Sequence, residues 1–189
     1  NEIRATKDNT TMDCISLLRI INTIKSLTTK FIQPNSNCYD LGCSLGEATF
    51  AIEEGITIDG CKIIAIDKSS AMTKKFHNKL NKKTVSTPIT IINDDVINLN
   101  ISNASIVVMN YTLQFIDMDL RQKILDKIYN GLKPGGLFIL SEKIGNSDKM
   151  IMDSNGNLGI GTIDPKSALH VYGVVDHYPD TDGIHMGYV

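Results

Sequence analysis

YDLGCSLGEAT, residues 39–49, is the stretch of this 189-residue sequence that decides the fold. An apolar strand runs into a turn that carries Gly42 and Gly46, and a helix is predicted to begin near Glu47 and to end at Gly55. Because glycine has no Cβ, this turn lets a ligand approach the backbone at the carboxyl end of the strand, next to the N–H groups of the helix. An ordinary tight turn between a strand and a helix is the alternative interpretation.

Strand and helix patterns alternate on both sides of this turn. Uninterrupted β-branched runs are typical of parallel strands that are buried on both faces, and amphipathic helices separate them. The predicted strands are 38–41, 62–66, 89–92, 105–109 and 137–140. The first predicted helix is capped by Thr10 and ends before Pro34, and a later helix is capped by Ser69 or Ser70. The last predicted helix has Leu120 to Leu132 on its apolar side. The sequence therefore predicts an α/β fold with a doubly wound, mostly parallel, Rossmann-like sheet that stops after its fifth strand.

Asp67 ends the second predicted strand and is the first candidate binding residue outside the glycine turn. A carboxylate at this position can accept hydrogen bonds from both hydroxyls of a ribose, as in other nucleoside-binding doubly wound sheets. The alternative is that Asp67 caps the helix that follows.

The third and fourth predicted strands end in polar residues at the same edge of the sheet. Asp95 could accept a hydrogen bond from the exocyclic amine of an adenine, with the backbone N–H of Val96 donating to the ring, or it could be a solvated turn acid. Asn110 ends an otherwise apolar strand, a position that usually faces the ligand crevice, although it could also cap the strand.

Composition excludes several classes of protein. Hydrophobic residues make up 42% and charged residues 21% of the sequence, as in globular proteins. The net charge of −2 argues against direct nucleic-acid binding through phosphate contacts, and no apolar run predicts a membrane-spanning helix.

The four cysteines lack zinc-ligand spacing, so we expect no metal site and reduced thiols in a cytoplasmic protein. The start, NEIRATKDNT, has no initiator Met and no secretory signal, which is typical of a fragment.

The sequence changes character after Ser147. Short apolar pairs separated by Asn-Gly and Asp-Pro dipeptides predict β-turns and brief strands in place of helix. We therefore predict two parts: residues 1–147 form the α/β domain, and residues 148–189 form a Gly- and Asp-rich appendage.

Four segments of the α/β part resemble the class I methyltransferase superfamily and, within it, the carboxy-S-adenosyl-L-methionine synthase family. They are FIQPNSNCYDLGCSLGEAT, CKIIAIDKSSAM, NASIVVMNYTLQFI and RQKILDKIYNGLKPGGLFILSEK, and the resemblance covers roughly residues 15–145. The NYTLQF run and the LSEK ending are features that a generic methyltransferase would not share.

The resemblance implies a transferase that binds S-adenosyl-L-methionine and prephenate, forms carboxy-S-adenosyl-L-methionine for modification of a tRNA wobble uridine, and forms a homodimer. Carried over position by position, the ligand contacts it implies are Gly42, Cys43, Ser44, Asp67, Lys68, Asp95, Val96 and Asn110. It identifies no catalytic residue. The match stops near Lys143, ahead of the family region that holds a carboxylate-binding arginine, so we expect ligand binding with weak or absent turnover.

The segment GNLGIGTIDPKSALHVYG is similar to repeats of viral tail fibres and trimeric surface proteins. The sequence leaves two alternative functions open. The chain could be an ordinary S-adenosylmethionine-dependent methyltransferase, or a non-catalytic fibre-associated fusion protein.

Overall fold

The computed structural model describes the backbone of residues 2–144, 147–148, 150–152, 158–160 and 169–171, and the side chains of residues 17–142. The chain divides into two compact units, Ile21–Ser141 and a second made of Asn1–Ile20 with Glu142–Val189. The predicted domain boundary between residues 147 and 148 stays a prediction.

The first unit alternates strands and helices along the chain. Its elements are the end of α1 (Glu2–Phe31), β1 (Asn37–Leu41), α2 (Glu47–Gly55), β2 (Lys62–Ile66), α3 (Ser70–Leu80), β3 (Ile89–Ile92), β4 (Ala104–Asn110), a 3-10 turn (Leu113–Phe115), α4 (Met118–Gly131) and β5 (Leu132–Ser141). The five strands form one sheet in the order β3-β2-β1-β4-β5, and every neighbouring pair is parallel. The predicted doubly wound parallel sheet is confirmed.

Apolar side chains cover the sheet on both faces, which explains the uninterrupted apolar runs in the sequence. On one face Leu41, Val107 and Met109 pack with the buried side of α4, which includes Ile124. On the other face Phe76 of α3 packs in a cluster with Phe50, Ala65 and Cys43. Six of the seven residues of β4 are buried, so β4 is a central strand of the unit.

Two helix boundaries differ from the prediction. The first helix begins at Glu2, ahead of the predicted cap at Thr10, because the polar residues that precede Thr10 lack apolar periodicity but are still able to form helix. The last helix ends at Gly131, so Leu132 begins β5 and is not part of the helix. A Cβ at Gly131 would lie 2.5 Å from the backbone oxygen of Ile101, and only glycine allows this close approach.

The second unit contains short strands, and three of them lie in the segment after Ser147 where the sequence predicts brief strands. The short strands are β6 (Lys143–Ile144), β7 (Ser147–Asp148), β8 (Met150–Met152), β9 (Leu158–Ile160) and β10 (Leu169–Val171). β8, β9 and β10 form a three-stranded sheet, in which β9 and β10 are parallel. The rest of the predicted appendage, including most of the fibre-like segment, lies outside the described residues.

Candidate functional site

The strand order places the switch point of the sheet, where open α/β sheets have their ligand crevice, at the carboxyl edge between β1 and β4. The chain winds outward from β1 to β3 on one side and then crosses to β4 on the other, so the connections after β1 and β4 run in opposite directions. Ligands of open α/β sheets bind at this kind of switch point. The predicted binding residues follow the carboxyl ends of β1, β2, β3 and β4, and they therefore share this edge.

Asp67 joins the glycine turn to the start of α3. Its Oδ2 accepts the backbone N–H of Ser44 at 2.9 Å, and its Oδ1 accepts that of Ser69 at 2.8 Å. The N-cap of α3 is Ser69, whose hydroxyl accepts the N–H of Met72 at 3.4 Å, so Asp67 is not the capping residue itself. Each carboxylate oxygen can accept more than one hydrogen bond, which leaves Asp67 able to accept further donors.

The backbone N–H groups of the glycine turn are already used within the protein. Those of Gly42 and Cys43 both donate to the carbonyl oxygen of Ile66, at 2.8 and 3.0 Å, and that of Ser44 donates to Asp67. A ligand contact at any of these three residues must therefore be made by other atoms. Cys43 is also 5% exposed and its side chain packs in the core, and burial raises the pKa of its thiol above the ordinary range.

Thr112 is a neighbour of Gly42 that the sequence analysis did not identify. Gly42 has a φ of +85°, and a Cβ built on it would lie 2.1 Å from Oγ1 of Thr112. Glycine at this position is therefore needed for backbone conformation and for packing against the segment after β4. The ligand access inferred from the sequence stays a prediction, because the side chain of Thr112 occupies the space into which a Cβ of residue 42 would point.

The segment after β3 holds Asp95 and Val96. Asp95 is exposed and its Oδ1 accepts the N–H of Ile97 at 3.0 Å, whereas the side chain of Val96 is buried in the core. Asn93 donates from Nδ2 to the carbonyl oxygen of Asp67 at 2.9 Å and so links the ends of β2 and β3. Lys68 is exposed, directly after Asp67.

Asn110 ends β4 and is held by its neighbour in the sheet. The hydroxyl of Ser141, the last residue of β5, donates to Oδ1 of Asn110. The carbonyl oxygen of Asn110 accepts the hydroxyl of Thr112 at 3.2 Å. Neither partner was identified from the sequence, because both contacts depend on how β4, β5 and the following turn are placed together.

Asp40 is a buried carboxylate that the sequence analysis also missed. It lies in β1, 1% exposed, and its Oδ2 accepts the hydroxyl of Thr49 in α2 at 2.5 Å. Burial raises the pKa of Asp40 to about 6, and the negative charge of Asp67 adds to the increase, while hydrogen bonds from the side chain and backbone of Thr49 oppose it. The signal in the sequence is a single acid within an otherwise apolar strand.

The raised pKa of Asp40 predicts a pH-dependent stability. The folded protein protonates Asp40 at a higher pH than the unfolded chain does. Protonation of Asp40 therefore contributes fully to the stability of the folded state below about pH 4, and this contribution is lost as the pH rises through about 6. Each unit of pKa difference corresponds to about 1.4 kcal/mol, so we expect a loss on the order of 2–3 kcal/mol across this window.

Asp40→Asn removes the titrating group while it keeps the size and one acceptor. In urea unfolding between pH 4 and 8, the wild-type free energy of unfolding should fall relative to that of Asp40→Asn as the pH rises. Parallel curves for the two proteins would contradict the prediction.

The cysteines among the residues whose side chains are described are buried. Burial raises the pKa of the Cys38 thiol to about 12, and Cys38, Cys43 and Cys61 are all buried free thiols. In the part of the chain that the structure describes, no three His, Cys, Asp or Glu residues are grouped to hold a metal ion. Among the described residues, none of the helices is long and apolar enough to span a bilayer.

A parallel sheet of this order, with a glycine turn after β1 and a carboxylate after β2, defines the Rossmann-like methyltransferase fold class. The chain belongs to the methyltransferase domain family, whose model matches residues 39–136.

Curated relatives narrow the resemblance further. The chain is 50% identical over 139 residues to carboxy-S-adenosyl-L-methionine synthase of Colwellia psychrerythraea, a match that covers 74% of this chain and 57% of the relative. It is 47% identical over 132 residues to the synthase of Cronobacter sakazakii, covering 70% of this chain and 53% of the relative. The resemblance predicted from the sequence is confirmed, and the chain spans about half the length of the curated relatives it matches.

Solved structures support the fold alone. A cyclopropane synthase from Mycobacterium tuberculosis matches with a TM-score of 0.53 and 13% identity, over 62% of this chain and 41% of that one. A protein of Methanococcus maripaludis, assigned as an S-adenosyl-L-methionine-dependent methyltransferase, matches with a TM-score of 0.54 and 24% identity, over 74% of this chain and 64% of that one.

Proposed function

We propose that this chain binds S-adenosyl-L-methionine in the crevice between β1 and β4 and derives from a carboxy-S-adenosyl-L-methionine synthase. The observation that carries the proposal is the 50% identity to such a synthase over 139 residues. The residues that the methyltransferase model matches, 39–136, include the glycine turn and the ends of the four strands β1 to β4. The contacts of Asp67 support it, because two backbone N–H groups fix its carboxylate at the switch point.

The binding residues we propose are Gly42, Cys43, Ser44, Asp67, Lys68, Asp95, Val96 and Asn110. Asp67 accepts the ribose hydroxyls, since it is half-buried and fixed on both oxygens by backbone N–H groups. Asp95 accepts from the adenine amine, because it is exposed at the neighbouring strand end. Gly42, Cys43 and Ser44 contribute surface rather than N–H donors, because their N–H groups have partners within the protein.

The reaction that we propose for proteins of this family is the transfer of a carboxyl group to S-adenosyl-L-methionine, with prephenate as the small-molecule substrate that supplies it. Prephenate loses its ring carboxyl group as CO2 and its ring hydroxyl as water, and becomes phenylpyruvate. The positive sulfur of S-adenosyl-L-methionine acidifies its methyl group, whose proton leaves with the water, and the resulting carbanion forms a bond to the CO2. A site that excludes water protects this reactive carbon.

The setting of the reaction is also part of the proposal. Carboxy-S-adenosyl-L-methionine is the reagent with which a partner enzyme modifies tRNA wobble uridine, so this chain itself need not contact nucleic acid. The free thiols of Cys38, Cys43 and Cys61 support a reducing, cytoplasmic location. Homodimer formation and the separate appendage at residues 148–189 remain part of the same proposal.

Calorimetry with S-adenosylhomocysteine tests ligand binding, and mass spectrometry after incubation with S-adenosyl-L-methionine and prephenate tests turnover. We expect saturable heat from the purified chain and little product, because the carboxylate-binding arginine of the family has no counterpart in the matched segment. Product heavier than S-adenosyl-L-methionine by one CO2, absent when prephenate is omitted, would show that this arginine is dispensable.

Two results would overturn the proposal. A methylated acceptor without the CO2 adduct would identify an ordinary methyltransferase. A folded sample that gives no heat would favour a non-catalytic, fibre-associated protein.

A further inference from the structure

Ser141 and Asn110 are the last residues of two adjacent strands, the edge strand β5 and its neighbour β4. They are directly paired in the parallel ladder between β4 and β5, at the edge of the sheet where the crevice lies. The carbonyl oxygen of Ser141 accepts the N–H of Tyr111 at 2.7 Å, so β5 also holds the first residue after β4. Tyr111 has a φ of 55°, a left-handed backbone conformation that residues other than glycine rarely adopt.

The hydroxyl of Ser141 occupies the oxygen side of the Asn110 amide. It donates to Oδ1 of Asn110, and among the hydrogen bonds of the described residues none uses Nδ2 of Asn110. Ser141 is 4% exposed, so water has little access to its hydroxyl and competes little with this partner. An amide whose oxygen is occupied in this way offers its NH2 group, a donor, to whatever enters the crevice.

We propose that Ser141 is a positioning residue that orients Asn110 so that its NH2 group donates to an acceptor atom of the bound ligand. This inference deepens the proposed function and rests on it. Ser141 itself does not touch the ligand. Without its hydroxyl, the amide of Asn110 could rotate about its last bond and present oxygen and nitrogen in either order.

Ser141→Ala tests the inference in calorimetry with S-adenosylhomocysteine. We expect the dissociation constant to rise about 3- to 10-fold, the effect of losing one oriented hydrogen bond. Ser141→Thr keeps the hydroxyl and should restore most of the affinity. In an Asn110→Ala background, Ser141→Ala should change the affinity no further, because there is no amide left to orient.

Ser105→Ala is the matched control for loss of a buried hydroxyl. Ser105 lies near the opposite end of β4, is fully buried, and its hydroxyl is 2.7 Å from that of Ser36. We expect Ser105→Ala to lower the melting temperature without changing the dissociation constant. If Ser141→Ala does not melt cooperatively, Ser141→Cys takes its place, since a thiol has similar size and is a much weaker donor.

The outcomes separate this inference from the proposed function. Absence of heat with the wild-type chain overturns both. Normal wild-type binding with unchanged affinity in Ser141→Ala overturns the role of Ser141 alone. The same holds if Ser141→Ala weakens binding equally with and without Asn110, because its effect would then be structural.

Discussion

Asp67→Ala is expected to raise the dissociation constant for S-adenosylhomocysteine by about 10- to 100-fold or more, which corresponds to at least about 1–3 kcal/mol. The variant loses a ligand contact and also the group that holds the glycine turn and the start of α3 in place. The ligand hydroxyls lose their acceptor, and the N–H groups of Ser44 and Ser69, which donate to Asp67 at 2.9 and 2.8 Å, lose theirs. Calorimetry at one pH and salt concentration measures the change directly.

Two further variants make the prediction about Asp67 specific. Asp67→Asn keeps one acceptor oxygen and should bind with intermediate affinity. Asp59→Ala removes an exposed carboxylate that precedes β2, at the opposite edge of the sheet, and should leave the affinity unchanged. If Asp67→Ala bound as tightly as the wild type, Asp67 would serve only to hold the turn and the start of α3.

Gly46→Ala is expected to lower the free energy of unfolding by about 3 kcal/mol or more. Gly46 has a φ of +84°, and a Cβ built on it would lie 2.2 Å from the ring of Phe76. That ring is fully buried and meets the ring of Phe50 edge to face at 5.6 Å, so it has no room to move away. Both the backbone strain and the overlap act on the folded state, and urea unfolding measures their sum.

Gly135→Ala separates the two contributions. Gly135 has a similar φ of +76°, but its Cβ would only touch Nε2 of Gln33 at 3.5 Å, an ordinary contact. We expect this variant to lose about 1–2 kcal/mol, the cost of the left-handed backbone alone. Equal losses in the two variants would mean that the overlap with Phe76 is relieved at no cost.

Local patterns in the sequence were enough to predict most of the sheet. β2 and β3 begin and end where the runs KIIAI and ITII begin and end, because each run is rich in β-branched residues and is followed by a polar residue, Asp67 or Asn93. The cap of α3 was also predictable, since Ser69 precedes an amphipathic run. The end of α4 was not, because it depends on the approach of Gly131 to the backbone of Ile101, which is distant in sequence.

The candidate site was predictable at its strand ends and not in its supporting contacts. Asp67 and Asn110 are polar residues that end apolar strands, a pattern visible within a few residues. The partners that hold them or share their surroundings come from other elements: Ser141 from β5 and Thr112 from the turn after β4. Such pairings depend on the three-dimensional arrangement of elements, about which a local pattern carries no information.

The two hydrogen bonds on the Asp67 carboxylate also bear on how fast a ligand associates. An acceptor that is already oriented by two backbone amides needs no rearrangement when a ribose arrives, so little conformational entropy is lost at that step. Association should then approach the rate set by diffusion and docking, and differences in affinity among variants that keep Asp67 should arise in the dissociation rate. In the binding mode that we propose, the dissociation rate, rather than the association rate, would therefore distinguish one nucleoside ligand from another.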